Sequence, residues 1–300
     1  MNLSTSEATT FKTDYSVTAP LSMAFGVTSI IITSYILIII LSTKQLYTVT
    51  RLLTCNTCLA SMLYCVVQFI NYIHLLVIKW DTSDESCRWR GYFGYMSMVS
   101  FVYSYLLQVI SRFFFIVLWN RYRWLTSYKA HFYVILFGWI VILTVPLPAI
   151  LTTDIHFRPG ELCWVASKYE LHTYYIIVAY YVIPILSIVI FNVLIFIRIY
   201  QSRKTSVARS RTGKRDRDYE IFRNVMISFS VYFLGGLPII IHMLVDVELL
   251  YSIGVVSVTF AVSMEKLVII YLDRDIRILF RNFFCQKKTQ VVPMTVFTVR

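Results

Sequence analysis

Charge is what this sequence has least of. Asp, Glu, Lys and Arg make up 15% of its 300 residues, where a soluble globular domain carries roughly a quarter. Hydrophobic residues reach 58%, a balance that excludes an ordinary soluble domain and makes a membrane protein the first inference. Glycine is also scarce, at nine residues, while aromatics reach 16%. The apolar content is therefore not low-complexity filler, and no internal repeat is visible. Histidine is sparse and scattered: His74, His131, His156, His172 and His242 lie apart, near predicted helix ends or in loops. No clustered nucleophile and base or metal set accompanies them, so the sequence predicts neither an enzyme nor a bound metal or other cofactor.

The few charges leave long apolar intervals between them. An α-helix needs about 20 such residues to cross roughly 30 Å of hydrocarbon. Seven intervals approach that length, between Asp14 and Lys44, Arg51 and Lys79, Arg90 and Arg112, Lys129 and Asp154, Glu170 and Arg198, Arg223 and Asp246, and Glu248 and Glu265. The last is short. It spans only if Glu265 and Lys266 lie within the membrane and the helix runs on to Leu272. Two adjacent opposite charges at that depth are costly, so they are expected to face the bundle interior or to snorkel toward the cytoplasmic surface. The first interval begins near Pro20, after a polar segment, and is too long for the core of a cleaved signal peptide.

The predicted fold is an all-α membrane protein, a seven-transmembrane helix bundle over residues 20–272. Its helices are expected at about 20–43, 52–78, 88–118, 131–151, 172–199, 219–245 and 249–272. An extracellular segment 1–19 precedes it, and an amphipathic membrane-surface helix 273–284 and a cytoplasmic tail 285–300 follow.

Orientation comes from loop charge, because Lys and Arg accumulate on the cytoplasmic side of short loops. The segments after the first, third and fifth intervals and the C-terminal stretch carry +2, +3, +6 and +4, while the N-terminal segment and the remaining loops carry −1, −2, −1 and −2. This alternation predicts an extracellular N-terminus and a cytoplasmic C-terminus. The net charge of +12 then reflects basic residues against the anionic inner leaflet, and no nucleic-acid partner is implied.

Of the six cysteines, Cys87 and Cys163 alone fall on the predicted extracellular side, where disulfides persist. Cys87 opens the third helix and Cys163 lies between the fourth and fifth, so a bridge would pin that loop over the bundle's outer mouth. Cys55, Cys58 and Cys65 read as small packing residues of the second helix. Cys285 follows a basic amphipathic stretch, a setting for palmitoylation. Asn2-Leu3-Ser4 is a glycosylation sequon on the outer side.

In order along the chain, these residues resemble the rhodopsin-like class of G-protein-coupled receptors. Trp80 resembles the tryptophan of that family's first outer loop. Arg112, in Ser111-Arg112-Phe113, stands 25 residues after Cys87, where the family has its Asp/Glu-Arg-Tyr triplet. Asn56-Thr57-Cys58-Leu59-Ala60-Ser61 resembles the second-helix Asn-Leu-x-x-Ala-Asp pattern. Trp139, Pro184 and Pro238 match landmarks of the fourth, fifth and sixth helices, and Asp275-Ile276-Arg277 resembles the start of the surface helix.

Several positions depart from the pattern. Ser61 replaces the aspartate that helps bind sodium in the family. Gly236, in Gly235-Gly236-Leu237-Pro238, replaces the sixth-helix toggle tryptophan. Two adjacent glycines before a proline predict a pliable helix, with Pro184, Gly236 and Pro238 as kink positions. Glu265 and Lys266 take the places of the seventh-helix Asn-Pro.

The resemblance implies a receptor that passes an extracellular ligand signal to a heterotrimeric G-protein. Arg112 is its expected coupling residue, closed by an ionic lock to Asp218; the alternative is that Arg112 snorkels to lipid phosphate. The basic loop between Arg198 and Arg223 is a candidate G-protein or lipid contact. Tyr95, Met98, Ile176, Tyr180, His242 and Met243 are the implied ligand-pocket positions, although most of them read equally well as core. Gly94 stands where amine receptors place an aspartate and Thr259 where opsins place the retinal-linking lysine, which disfavours both ligand types and leaves peptides and lipids open. Against the receptor stand a non-signalling decoy or scaffold of the same fold, suggested by the departures, and a transporter, suggested only by Glu265 and Lys266.

Overall fold

The computed structural model describes residues 13–42, 48–78, 80–119, 121–166, 168–205, 212–245, 247–273 and 276–278, with backbone alone for 202–205, 212–219 and 221. Among the described residues all regular structure is helical, and seven helices are long and apolar enough to cross a bilayer. They are α1 (Tyr15–Ser42), α2 (Val49–Leu76), α3 (Asp84–Leu118), α4 (Tyr128–Leu151), α5 (Glu170–Gln201), α6 (Thr212–Val245) and α7 (Glu248–Leu272).

Several helices begin before the positions expected from the sequence: α1 at Tyr15, α3 at Asp84 and α6 at Thr212, against expected starts at about 20, 88 and 219. Hydrocarbon dictates where charge must stop, not where a helix must, and polar caps carry the first turns beyond it. The hydroxyls of Thr48, Ser83 and Ser127 accept the backbone N–H groups of Arg51, Ser86 and Ala130 at 3.4, 3.5 and 3.2 Å, satisfying donors that the first turns of α2, α3 and α4 leave open.

Prolines accompany two of the three irregular stretches within the described membrane-length helices. In α5 a π turn over Ile177–Val182 precedes Pro184, which has no N–H to donate and whose ring crowds the carbonyl four residues back. A second π turn, Phe114–Leu118, closes α3. α4 passes through a turn at residues 145–147 before its last helical turn, Pro148–Leu151. α6 stays helical through Pro238 to Val245.

α3 runs through the centre, against α2, α4, α5 and α6. Its Phe101 and Tyr105 meet Tyr232 and Phe229 of α6 at ring separations of 4.4 and 5.7 Å. Lipid tails are as apolar as leucine, so membrane helices are held together by close packing and interhelical hydrogen bonds among small residues. α1 buries Ala19, Ser22, Gly26, Ser29 and Thr33, a stripe at helical spacing, and Ser263 of α7 donates to the Phe25 carbonyl at 2.7 Å.

α6 and α7 approach each other closely. A Cβ on Gly235 would overlap that of Ala261 and stand 2.9 Å from the Ser257 carbonyl, and one on Gly254 would stand 2.9 Å from the backbone nitrogen of Ile239. Ser257 donates to the Gly235 carbonyl at 2.7 Å. Gly235 is thus a packing residue, while Gly236 has open space where its Cβ would be.

Glu265 and Lys266 resolve the question their sequence posed. Both are fully buried and face the bundle interior, with Lys266 Nζ 2.8 Å from Glu265 Oε2 and 5.5 Å from the centroid of Phe101.

Candidate functional site

At one end of the bundle Cys87 and Cys163 form a disulfide with Cα atoms 5.3 Å apart, tying the α4–α5 loop to the start of α3. The loop presses on α3 through two glycines. A Cβ on Gly91 would lie 2.6 Å from the Cys163 carbonyl, and one on Gly94 would lie 2.9 Å from Cη2 of Trp164. Trp164 packs edge-on to Tyr95 at 4.8 Å, and the Tyr95 hydroxyl accepts the Val165 N–H at 3.0 Å. A second clasp holds the loop to α5, where His172 Nδ1 lies 2.7 Å from Asp154 Oδ2.

Beneath this loop is a cavity of about 170 Å³, far more than a single water needs. It brings together Tyr95, Met98, Ile176, His242 and Met243 from the sequence-derived set. Tyr180 lies behind the wall, 1% exposed, with its ring 5.6 Å from that of Tyr95.

The α2 side of the cavity was not singled out from the sequence, although its signal was there. Tyr64, Gln68 and Tyr72 recur every four residues, so one helical face presents all three. Tyr251 of α7, Tyr15 of α1 and Trp164 were also missed, because only the folded loop and helix packing bring them to the same space.

Charge collects at the mouth. Arg158 and Glu161 pair at 2.7 Å, and Glu248 accepts the Thr13 hydroxyl at 3.0 Å. On the neighbouring α2–α3 loop the Ser86 hydroxyl donates to Asp81, the Ser83 N–H donates at 3.3 Å, and Arg90 and His74 stand 3.7 and 3.9 Å away. Led by the Ser86 hydrogen bond, these contacts hold the Asp81 carboxyl below its ordinary range against the opposing effect of burial.

The opposite end of the bundle carries Arg112. It is 5% exposed, and its Nη2 donates to the Thr50 hydroxyl of α2 at 3.1 Å. Asp218 lies on the first part of α6, where only the backbone is described. A neighbouring clamp was not anticipated: Arg51 at the base of α2 makes a two-pronged ion pair with Asp273, just beyond α7, with Nη2 to Oδ1 at 2.8 Å. Ile276, within the resemblance's Asp-Ile-Arg, is buried against Ile36, Ile40 and Cys58. Asn2, Cys285 and most of the expected surface helix lie outside the described residues.

Between the two ends, Trp139 of α4 donates to Asn56 of α2 at 2.9 Å, joining two landmarks that sequence spacing alone had paired with a family. Pro184 is buried in α5 next to its π turn, and Gly236 borders a small void of about 20 Å³ between α3, α5 and α6. Among the described residues no three histidine, cysteine or acidic side chains group as metal ligands.

The sequence profile of the 7 transmembrane receptor (rhodopsin family) matches residues 33–274. The chain belongs to that family. No curated protein sequence matches it.

Proposed function

We propose that this protein is a G-protein-coupled receptor of the plasma membrane, with its disulfide-closed cavity facing outward and Arg112 facing the cytoplasm. The observation that carries the reading is the pairing, in one rhodopsin-family bundle, of a loop-covered cavity at one end with a buried arginine at the other. The loop-charge asymmetry supports the orientation, and with it glycosylation at Asn2, a disulfide-pinned outer loop and palmitoylation at Cys285.

Signalling requires two bundle states that a ligand binds with different affinity. In this reading α6 moves, with Pro238 and the free space at Gly236 giving it room. Arg112 and Asp218 hold the closed state, and opening releases Arg112 toward a heterotrimeric G-protein. The fold's role is reception rather than enzymatic turnover, and the tail and basic α5–α6 loop meet anionic lipid.

The test is nucleotide exchange on purified G-proteins by the protein in lipid nanodiscs, beside Arg112→Ala and Asp218→Asn. A receptor raises exchange above empty nanodiscs, Arg112→Ala abolishes the rise, and Asp218→Asn increases it at equal protein level. Exchange indistinguishable from empty nanodiscs across all G-protein classes would leave the non-signalling decoy or scaffold as the function. An unchanged Asp218→Asn would remove the lock alone.

A further inference from the structure

One polar group on the cavity wall has nothing to give its hydrogens to. Gln68 is 4% exposed, and its side-chain Nε2 has no hydrogen-bond partner. A buried donor left unmade is unfavourable, and a ligand that satisfies it recovers that loss. Whichever way the carboxamide is turned, it presents a donor and an acceptor side by side.

Around Gln68 the wall is aromatic and uncharged. Tyr64 and Tyr72 flank it one turn to either side, and Tyr95, Tyr251 and Trp164 close the space. The charged residues that border the cavity are Arg158, Glu161 and Glu248. They belong to the α4–α5 loop and the first turn of α7; Arg158 and Glu161 neutralise each other, and Glu248 is exposed. His242 turns its Nδ1 to the Val247 carbonyl at 3.0 Å. An ammonium or carboxylate carried to Gln68 would lose its water beside Tyr64 and Tyr72, which bear no charge to offset that loss, whereas a flat ring carrying a neutral amide loses less and fits the rings on either side.

We infer that the cavity takes an uncharged aromatic ligand that leads with an amide, and that Gln68 is the residue that selects it. This rests on the cavity being the receptor's ligand site. Two sources share the chemistry, a small aromatic carboxamide and the amidated end of a peptide closing on an aromatic residue.

The test uses the full chain in lipid nanodiscs, three probes of similar bulk (benzamide, benzylamine and benzoate) and the larger N-acetylphenylalaninamide. Binding is read by saturation-transfer NMR. Benzamide is expected to bind at least about tenfold more tightly than the amine or the acid, and Gln68→Leu to lose that margin. Because Gln68→Leu also removes an orphaned donor, the empty variant is expected to melt no lower than the parent, so loss of binding is not loss of fold. Gln68→Glu, of the same shape, is expected to shift the preference to benzylamine. Tighter binding of N-acetylphenylalaninamide than of benzamide assigns the amide to a peptide end, and weaker binding assigns it to a small molecule.

Equal affinities for amide, amine and acid, or a benzamide affinity untouched in Gln68→Leu, overturn the inference. Nucleotide exchange on the same preparations separates the two claims. Exchange without amide preference sinks the ligand class and keeps the receptor, and amide preference without exchange does the reverse.

Discussion

Trp164 fills the space that Gly94 leaves empty: a Cβ on Gly94 would stand 2.9 Å from Cη2 and 3.0 Å from Cζ3 of the indole. The missing side chain on α3 and the tryptophan next to the disulfide are therefore one feature, and it closes the cavity from above. Gly94→Ala is expected to destabilise by about 1–3 kcal/mol through overpacking. In a Trp164→Ala background the same change is expected to cost less than half as much, since the clashing ring is gone. Thermal unfolding of the four proteins in detergent measures the cycle, and strict additivity would show that the two sites do not touch.

The two neighbouring glycines of α6 are predicted to behave differently. Gly235→Ala drives a methyl into Ala261 and the Ser257 carbonyl and is expected to separate α6 from α7, at a cost of about 1–3 kcal/mol. Gly236→Ala meets nothing within 4 Å and is expected to be neutral or stabilising by about 0.5–1 kcal/mol, because alanine gives up less backbone freedom than glycine. Melting temperatures of the two single variants check the contrast, and equal losses would contradict the packing described.

Glu265 and Lys266 are expected to be indispensable to each other and dispensable together. Both side chains are fully buried, so Lys266→Met alone strands a carboxylate, at a cost of about 3–5 kcal/mol. Glu265→Gln combined with Lys266→Met removes both charges and is expected to regain most of that loss. Folded yield and melting temperature in one detergent report the outcome. A double variant no better than the single would mean that the pair's partners in the bundle require the charges.

Asp81 gives a pH dependence with a definite sign. Its folded carboxyl titrates below the ordinary range, held there first by the Ser86 hydroxyl. Its stabilisation is therefore complete above the unfolded value of about 3.9 and is lost as pH falls through the lower folded value. The parent should melt above Asp81→Asn at pH 6, with the gap closing toward pH 3. A gap that widens on acidification would have the wrong sign.

How much of this was legible beforehand depended on range. The spans could be read because hydrocarbon excludes charge, and charge is the easiest property to see in a string of residues. The cysteine pair followed from compartment, and the family landmarks from spacing along single helices. Contacts between distant segments were hidden. Arg51 and Asp273 are 222 positions apart, and nothing local to either marks the other as its partner. Trp164 looked like any loop tryptophan until the disulfide set its path over Gly94. The Gly235-Gly236 pair read as pliability, yet Gly235 is needed for α6 to lie close to α7. Gln68 was passed over because a single amide in an apolar helix carries no pattern, and only its lack of a partner in the folded bundle distinguishes it.

The proposed function has a direction: the cavity end receives from outside and the Arg112 end reports inside. Epitope tags at the two termini, stained in intact and then in permeabilised cells, decide that direction. The N-terminal tag is predicted to stain in intact cells and the C-terminal tag only after permeabilisation. Both tags in one compartment, or the reverse arrangement, would contradict it.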